Sequence, residues 1–285
     1  MGRIHVVTDS ASDLPLEIRK ELDISVVPLT VQFGDDIFRD GESISTGEFY
    51  NKLKVEKIMP STCQPSPADF VKVYEEIAKP GDTIISIHLS SKMSGTYQSA
   101  VLASTMLDSG ITVKTIDTKT ASLGTGLITL EAAKAVQAQE TVEDILEVVQ
   151  HAIDFMQVYF VVDTLEYLQK NGRIGMASAL VGTLLNIKPI LTVDNGMVAP
   201  FEKSRGKNNA LRRLLELGEV LVRRYPEQRF RVGISNSESQ EEAERLSRSL
   251  QEVLPVDGDI LISQMGPTIG VHTGPGAVAL FILPV

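Results

Sequence analysis

A regular alternation of short β-rich runs with helical patterns, continuing to about residue 155, constrains the fold of this chain most strongly. Residues 4–8, 25–33, 83–89 and 113–116 are predicted strands, and helical patterns lie between them. This alternation is typical of a parallel or mostly parallel sheet covered by helices. The sequence therefore predicts an α/β fold in which the first sheet is mostly parallel.

The second half of the chain has a different pattern. Residues 189–193 and 197–201 are predicted strands that flank Asp194-Asn195-Gly196. An Asn-Gly pair suits the positive φ angles of a tight turn, so this segment predicts a β-hairpin. Residues 177–185 have a helical pattern and are predicted to form a helix.

The change of pattern suggests two domains. We place an N-terminal α/β domain at residues 1–156 and a C-terminal α/β domain at residues 157–285. No linker rich in Pro, Gly or Ser separates them. The two domains are therefore expected to pack tightly against each other.

Charge and composition exclude several classes of function. The net charge is −10 and aromatic residues make up 5% of the chain, so neither clustered cations nor stacking platforms for nucleic acid are expected. With one cysteine and four scattered histidines, the sequence predicts no disulfide and no metal site. It has no Walker A motif, so the chain is not expected to bind ATP by itself. It has no apolar run near the ~18 residues of a membrane helix and no visible signal peptide, so a cytoplasmic location is expected.

Three hydroxyl-rich loops each follow a strand-like run. They are Thr8-Asp9-Ser10, the loop of residues 60–67 and the loop of residues 90–96. Ligands of open α/β sheets bind beyond the carboxyl ends of the strands, where free N–H and O–H groups can hold an anion. Ser94 either binds such an anion or only caps the next helix, whereas Thr62 has no capping role because Ser66 fills it.

Two further residues suit an anion site. His272 lies between Gly270 and Gly274, whose small size allows close approach of a ligand, although a lone histidine is more often structural. Arg173 can clamp a carboxylate or phosphate with its planar guanidinium, or it can pair with Asp163 or Glu166.

An acyl hydrolase or transferase that uses Ser94 and His272 is the alternative, enzymatic interpretation. Ser94 and His272 could form a triad with Asp9 or Asp117, but Ser94 lacks the Gly-x-Ser-x-Gly pattern of a nucleophile elbow. Cys63 has no evident base and is interpreted as a buried structural cysteine. A module that senses a small anion is a third interpretation.

A basic segment interrupts this acidic chain at Lys203, Arg205 and Lys207. Such a segment is either a solvated loop or a surface for a partner.

The chain resembles the DegV family of bacterial fatty-acid-binding proteins, which includes the binding subunits of fatty acid kinase. The resemblance spans nearly the whole chain, and its motifs occur in one order: Thr8-Asp9-Ser10-Ala11-Ser12-Asp13-Leu14-Pro15, Ser61-Thr62-Cys63-Gln64-Pro65-Ser66-Pro67, Ser94-Gly95-Thr96-Tyr97-Gln98-Ser99-Ala100, Asp163-Thr164-Leu165-Glu166-Tyr167-Leu168, Gly172-Arg173-Ile174, Lys188-Pro189-Ile190 and His272-Thr273-Gly274-Pro275-Gly276.

The resemblance implies two α/β domains with a fatty-acid tunnel between them. It implies a carrier rather than an enzyme, without a cofactor, that binds one long-chain fatty acid such as palmitate, stearate or oleate. Thr62, Ser94 and His272 would bind the carboxylate, and Arg173 would lie near the head group. Arg205 would face a partner, the catalytic subunit of fatty acid kinase, which forms an acyl phosphate for phospholipid synthesis. A transient membrane contact is also expected.

Overall fold

The computed structural model describes residues 2–56, 58–107, 110–181 and 187–285. In these residues the strands are β1 (Ile4–Asp9), β2 (Ile24–Val27), β3 (Thr30–Phe33), β4 (Asp36–Arg39), β5 (Ser61–Cys63), β6 (Thr83–His88), β7 (Thr112–Asp117), β8 (Gln157–Val161), β9 (Ile187–Asp194), β10 (Met197–Arg205), β11 (Phe230–Asn236), β12 (Leu261–Gln264) and β13 (Val278–Pro284). The α-helices are α1 (Leu16–Glu21), α2 (Thr46–Val55), α3 (Pro67–Ile77), α4 (Thr96–Met106), α5 (Leu123–Gln137), α6 (Val142–Phe155), α7 (Glu166–Lys170), α8 (Lys207–Arg224), α9 (Gln240–Val253) and α10 (Pro267–Thr273).

The first sheet has the strand order β2-β1-β6-β7, and all of its neighbouring strands are parallel. Its central strands are buried on both faces, as Ile84, Ile85 and Ile87 show. Near-continuous apolar runs of this kind are typical of parallel strands covered by helices on both sides. The predicted α/β class and the parallel first sheet are therefore confirmed.

The prediction of one strand over residues 25–33 is wrong. The segment divides at Pro28 and Leu29, so that β2 joins the parallel sheet and β3 joins a separate antiparallel sheet of order β4-β3-β5. Pro28 lacks the N–H that a continuing ladder would need. The N–H of Leu29 donates instead to Ser10 Oγ at 3.0 Å. The break matters for function because the small sheet carries Thr62.

The third sheet has six strands in the order β10-β9-β8-β13-β11-β12, and all neighbours are antiparallel except β11 and β12. Its β9–β10 hairpin confirms the predicted turn, with φ angles of 45° at Asn195 and 80° at Gly196. The predicted helix over residues 177–185 is observed only as a 3-10 helix, Gly175–Leu180. Residues 182–186 of that prediction lie outside the described residues.

Helix α5 packs against β1 and β6 of the first sheet and against β11 of the third. It is almost entirely buried, and one hydrophobic cluster runs from Val6 on β1 through Leu127 on α5 to Phe281 on β13. We keep the division into domains of residues 1–156 and 157–285 as a proposal. The strands of the two large sheets fall on either side of that boundary, while the core crosses it.

Candidate functional site

A cavity of about 760 Å³, including the solvent at its mouth, lies where the loops that follow β6 and β7 meet the six-stranded sheet. Both halves of the chain contribute to its walls. The lining residues are Leu29, Thr62, Leu89, Met93, Ser94, Ala121, Ser122, Val158, Phe160, Leu168, Arg173, Val193, Val198, Met265, Thr268, Ile269, His272, Thr273, Ala279 and Phe281. We call this space the central cavity.

The central cavity is apolar along most of its wall. Val158 and Phe160 of β8, Val198 of β10 and Phe281 of β13 are all buried and present hydrocarbon or aromatic surface to it. A concave apolar space with a few polar groups at one place is the usual form of a small-molecule site.

Thr62, Ser94, Arg173 and His272 all line the central cavity, although Thr62 and His272 are 210 residues apart in the sequence. Each of the four is half-buried, whereas the apolar wall is buried. The polar end of the cavity therefore lies near the surface and the apolar part lies deeper. The four residues selected from the sequence meet at one site.

Thr62 and His272 are joined by a hydrogen bond of 2.9 Å between Thr62 Oγ1 and His272 Nε2. Thr62 is placed by its pairing with Val31 across β3 and β5. His272 lies in the last turn of α10, which packs against β3 and β5 and also against α2. Gly270 permits this packing, because a Cβ there would lie 2.6 Å from the Phe49 ring.

His272 is neutral at physiological pH. Burial, together with the positive charge of Arg173, lowers the pKa of His272 to about 3. Its Nδ1 is buried and has no hydrogen-bond partner among the described residues. A buried polar atom without a partner is uncommon in folded proteins, so this nitrogen is available to a ligand.

Ser94 lies at the entrance to α4. Its Oγ is 2.9 Å from Thr96 Oγ1 and accepts from the Thr96 N–H at 3.3 Å. The local hydrogen bond agrees with the capping alternative, although Gly95 holds the cap position itself. The Ser94 hydroxyl therefore lies in the cavity wall beside the first N–H groups of a helix, which favour an anion.

Arg173 pairs with neither Asp163 nor Glu166. Its Nε donates to the Met93 carbonyl at 3.1 Å and its Nη1 donates to the Asn171 carbonyl at 2.8 Å. Asp163 pairs with Lys188, and Glu166 pairs with Lys170. Within the described residues no carboxylate lies at ion-pair distance from Arg173, so its charge remains uncompensated beside His272.

Arg205 lies outside the central cavity. It is the last residue of β10 and its side chain is exposed, as is that of Lys203. Lys207 is tied down, because its Nζ lies 3.3 Å from Glu242 and 3.0 Å from Ser239. The basic segment therefore displays Lys203 and Arg205 rather than all three cations.

The loop at Thr8-Asp9-Ser10 does not line the central cavity. Asp9 Oδ2 lies 2.9 Å from His88 Nδ1, and His88 Nε2 lies 2.7 Å from Ser86 Oγ, which in turn lies 2.7 Å from the Tyr74 hydroxyl. All four side chains are fully buried. These contacts resemble those of a catalytic triad, but the network is buried where no substrate can reach it. Its hydrogen bonds instead join β1 and β6 to α3.

Two other expectations about reactive residues are not met. Cys63 is exposed, so the interpretation of a buried structural cysteine is wrong. Its place in a three-residue edge strand leaves the thiol on the outer face. Asp117 binds the Ser91 hydroxyl at 2.5 Å rather than His272.

The hydrolase alternative gains no support from this geometry. The hydrogen bonds of Ser94 go to Thr96, and His272 Nε2 bonds to Thr62. Because His272 Nδ1 has no partner in the part of the chain that the structure describes, no acid orients the ring.

The described residues contain no group of three or more His, Cys, Asp or Glu that could hold a metal ion. Among the same residues, no helix has both the length and the apolar character needed to cross a membrane.

Comparisons with known proteins agree with the fold. A family model described as an uncharacterised protein of the DegV family matches residues 3–285. A DegV domain-containing protein of Listeria innocua is 37% identical over 279 residues, which cover 98% of this chain and 97% of that protein.

Two solved structures are similar over the full fold. One is a DegV family protein from Thermus thermophilus, described by its fatty acid binding, with a TM-score of 0.89, 37% identity and coverage of 99% of this chain and 100% of that one. The other is DegV from Bacillus subtilis, described as a fatty acid binding protein, with a TM-score of 0.90, 33% identity and coverage of 100% of both chains.

The fold and the central cavity thus define an α/β protein with an apolar ligand space and a cationic, hydroxyl-lined end. The chain belongs to the DegV family.

Proposed function

We propose that this protein is a carrier that binds one long-chain fatty acid, such as palmitate, stearate or oleate, in the central cavity. One observation carries the proposal: at the polar end of an apolar space, Arg173 lies beside a neutral His272, and among the described residues no carboxylate pairs with Arg173 and no group bonds to His272 Nδ1. A fatty acid suits this site, because its carboxylate would lie beside Arg173 and His272 and its hydrocarbon chain would lie along the apolar wall. The solved relatives from Thermus thermophilus and Bacillus subtilis, both described by fatty acid binding, support it.

Thr62, Ser94 and His272 are proposed to hold the carboxylate. His272 is neutral, so its Nδ1 donates to the carboxylate when it carries the proton, and Nε2 then accepts from Thr62 Oγ1. Ser94 Oγ supplies a second donor from the start of α4. Arg173, near the head group, contributes charge.

The apolar wall alone does not explain selectivity. Burial of each methylene stabilises the complex by ~0.8 kcal/mol relative to water, but a bilayer offers nearly the same gain. Hydrogen bonds to a charged group contribute ~1.5–3 kcal/mol each. The carboxylate site therefore distinguishes a fatty acid from other acyl chains.

The position of the polar end suggests presentation of the carboxylate to a partner. Thr62, Ser94, Arg173 and His272 are half-buried rather than enclosed, so the head group would lie near the surface. We propose that a fatty acid kinase supplies ATP and magnesium and converts the bound acid to an acyl phosphate for phospholipid synthesis. In this proposal the protein is not itself an enzyme, needs no cofactor, is cytoplasmic and touches the membrane only transiently.

The carrier function is tested by the identity of the molecule that leaves the protein on denaturation. A fatty acid at about one per chain, identified by mass spectrometry of an organic extract, supports the proposal.

Arg205 is proposed to dock the kinase. It is an exposed cation on a protein with a net charge of −10, and such a local reversal of charge steers association. Arg205→Ala is expected to leave the fatty acid content unchanged and to lower acyl-phosphate formation with a cognate kinase. The rate of acyl-phosphate formation at low salt measures the effect.

The matched control is Arg223→Ala, which removes an exposed arginine from the last turn of α8. It is expected to leave turnover near the wild-type value. If Arg205→Ala loses its lipid, or if turnover at low salt is unchanged, Arg205 is not part of the docking surface.

A further inference from the structure

Helix α10 contributes more to the polar end of the central cavity than His272 alone. Thr268, Ile269 and Thr273 of the same helix line the cavity, and Met265 does so just before the helix begins. The cap residue Gly266 has no side chain that could satisfy the first N–H groups of the helix. The position of His272 therefore depends on groups outside α10.

Two buried carboxyl groups from the other half of the chain accept hydrogen bonds from the start of α10. Asp13 Oδ1 accepts from the Gly266 N–H at 2.8 Å. Asp40 Oδ2 accepts from the Thr268 N–H at 3.2 Å and from the Thr268 hydroxyl at 2.5 Å. These bonds join residues 253 and 228 positions apart in the sequence.

Gly266 lies between the two carboxyl groups. A Cβ at this position would lie 3.1 Å from Asp13 Oδ1 and 3.5 Å from Asp40 Oδ1. The first distance is shorter than an ordinary van der Waals contact and the second is not, so a side chain at this position would crowd Asp13 while only touching Asp40.

Asp13 also contacts a residue in a second part of the cavity wall. Its Oδ2 lies within hydrogen-bond distance of Ser122 Oγ, at 2.5 Å, and Ser122 lines the central cavity. Ser122 has a φ of 55° and a ψ of −145°, a strained conformation for a residue other than glycine. Hydrogen bonds between Ser122 Oγ and Asp13, and between Ser122 Oγ and Ser235 Oγ at 2.9 Å, stabilise this conformation of Ser122.

We propose that Asp13 and Asp40 are positioning residues of the fatty-acid site, which orient His272, Thr268 and Ser122 from behind the cavity wall. The inference rests on the proposed function. Neither carboxyl group touches the ligand; each acts through a residue that lines the cavity. The proposal assigns a role in ligand binding to two aspartates that lie outside the cavity.

The protonation state of Asp13 determines which substitution preserves its hydrogen bonds. Burial raises the pKa of Asp13 to about 8, and the neighbouring Asp40 and Asp9 add to the rise, while the bonds from Ser122 and Gly266 oppose it. Asp13 is therefore mostly protonated at pH 7. An asparagine keeps an acceptor for the Gly266 N–H and can donate to Ser122 Oγ, which remains able to donate to Ser235.

The experiment compares Asp13→Ala with Asp13→Asn by titrating delipidated protein with palmitate at pH 7. Asp13→Ala is expected to weaken binding about tenfold or more, the effect typical of losing a residue that orients a ligating side chain. Asp13→Asn is expected to bind within about threefold of the wild type. Asp144→Ala is the control, because Asp144 belongs to the capping box of α6, which carries no cavity residue.

A double-mutant cycle with His272→Ala separates positioning from general stability. If Asp13 acts partly through His272, Asp13→Ala should weaken binding less in the His272→Ala background than in the wild type. Full additivity of the two losses would overturn the proposal, as would an equal loss in Asp144→Ala. If Asp13→Ala does not fold, Asp40→Ala, which removes the acceptor of the Thr268 N–H on α10, takes its place in the same cycle.

The pH dependence of palmitate binding gives a further test of the role of Asp13. Because burial raises the folded pKa of Asp13 from 3.8 to about 8, the stability that Asp13 contributes is complete below about pH 4, declines between about pH 4 and 8, and is lost above that range. The groups that face Asp13 are Asp9 on β1, Asp40 after β4 and the Tyr50 hydroxyl on α2, with Arg19 of α1 beside Asp40.

In the folded protein Asp13 loses its proton as the pH rises through about 8, which places a buried negative charge near Asp9 and Asp40 behind the cavity wall. Palmitate binding by the wild type is expected to weaken between pH 7 and pH 9, and Asp13→Asn, which cannot ionise, is expected to lose less. An equal decline in both proteins would contradict the role of Asp13. Failure of the wild type to bind palmitate at any pH would instead refute the proposed function.

Discussion

Replacing His88 with alanine is expected to lower the free energy of unfolding by about 3–5 kcal/mol. The ring joins Asp9 on β1 to Ser86 on β6 at 2.9 Å and 2.7 Å, and no part of it is exposed. Its removal leaves the Asp9 carboxyl buried without that partner and opens a cavity against Phe70, whose ring centre is 5.0 Å away. Urea unfolding followed by circular dichroism measures the loss.

The measurement uses delipidated protein, because a ligand that binds only the folded state would add its own stabilisation. Lys170→Ala is the control. It removes an exposed ion pair with Glu166, in which the side chains are 55% and 51% exposed, and it should cost no more than about 1 kcal/mol. A loss in His88→Ala as small as that of the control would show that the buried network does not stabilise the fold.

Thr62→Ala and Ser94→Ala are each expected to weaken fatty-acid binding by ~1–3 kcal/mol. Both hydroxyls line the polar end of the central cavity, and Thr62 also fixes His272 through the 2.9 Å bond. Palmitate carries the carboxylate that these groups are proposed to bind, whereas hexadecanol does not. Titration of each variant with both ligands should therefore show a larger loss for the acid.

Thr105→Ala is the matched control, since it removes an exposed hydroxyl from the far end of α4 that bonds only to its own helix. It should bind both ligands as the wild type does. Equal losses of acid and alcohol in Thr62→Ala or Ser94→Ala would mean that the change has damaged the local fold rather than a carboxylate site.

Local patterns in the sequence predicted much of the fold. The strand–helix alternation predicted the parallel sheet, and Asn195-Gly196 predicted the hairpin between β9 and β10, because both depend on neighbouring residues. The division of residues 25–33 was missed, although Pro28 within the run was a signal. Apolar periodicity alone does not reveal which sheet a strand joins.

The candidate site was predictable to the extent that its residues lie in loops beyond strand ends or in the motifs of the family. Thr62, Ser94, Arg173 and His272 do line one cavity. The sequence did not predict that His272 lies in the last turn of a helix, α10, because Gly270 and Gly274 on either side of it do not favour a helix.

The supporting residues could not be predicted, because their partners are distant in the sequence. The contacts of Asp13 with Gly266 and of Asp40 with Thr268 exist only once the two halves have packed together. The same holds for Asp9 and His88, which are 79 positions apart. Asp13 and Asp9 lay within a recognised motif, but nothing in that motif indicates whether an aspartate faces a ligand or the core.

The most direct test of the carrier proposal is mass spectrometry of an organic extract from the gently purified, then denatured protein. We expect about one long-chain fatty acid per chain, absent from the buffer and from extracts of the folded protein. An extract without any acyl chain, together with no binding of palmitate or oleate added afterwards, would contradict it.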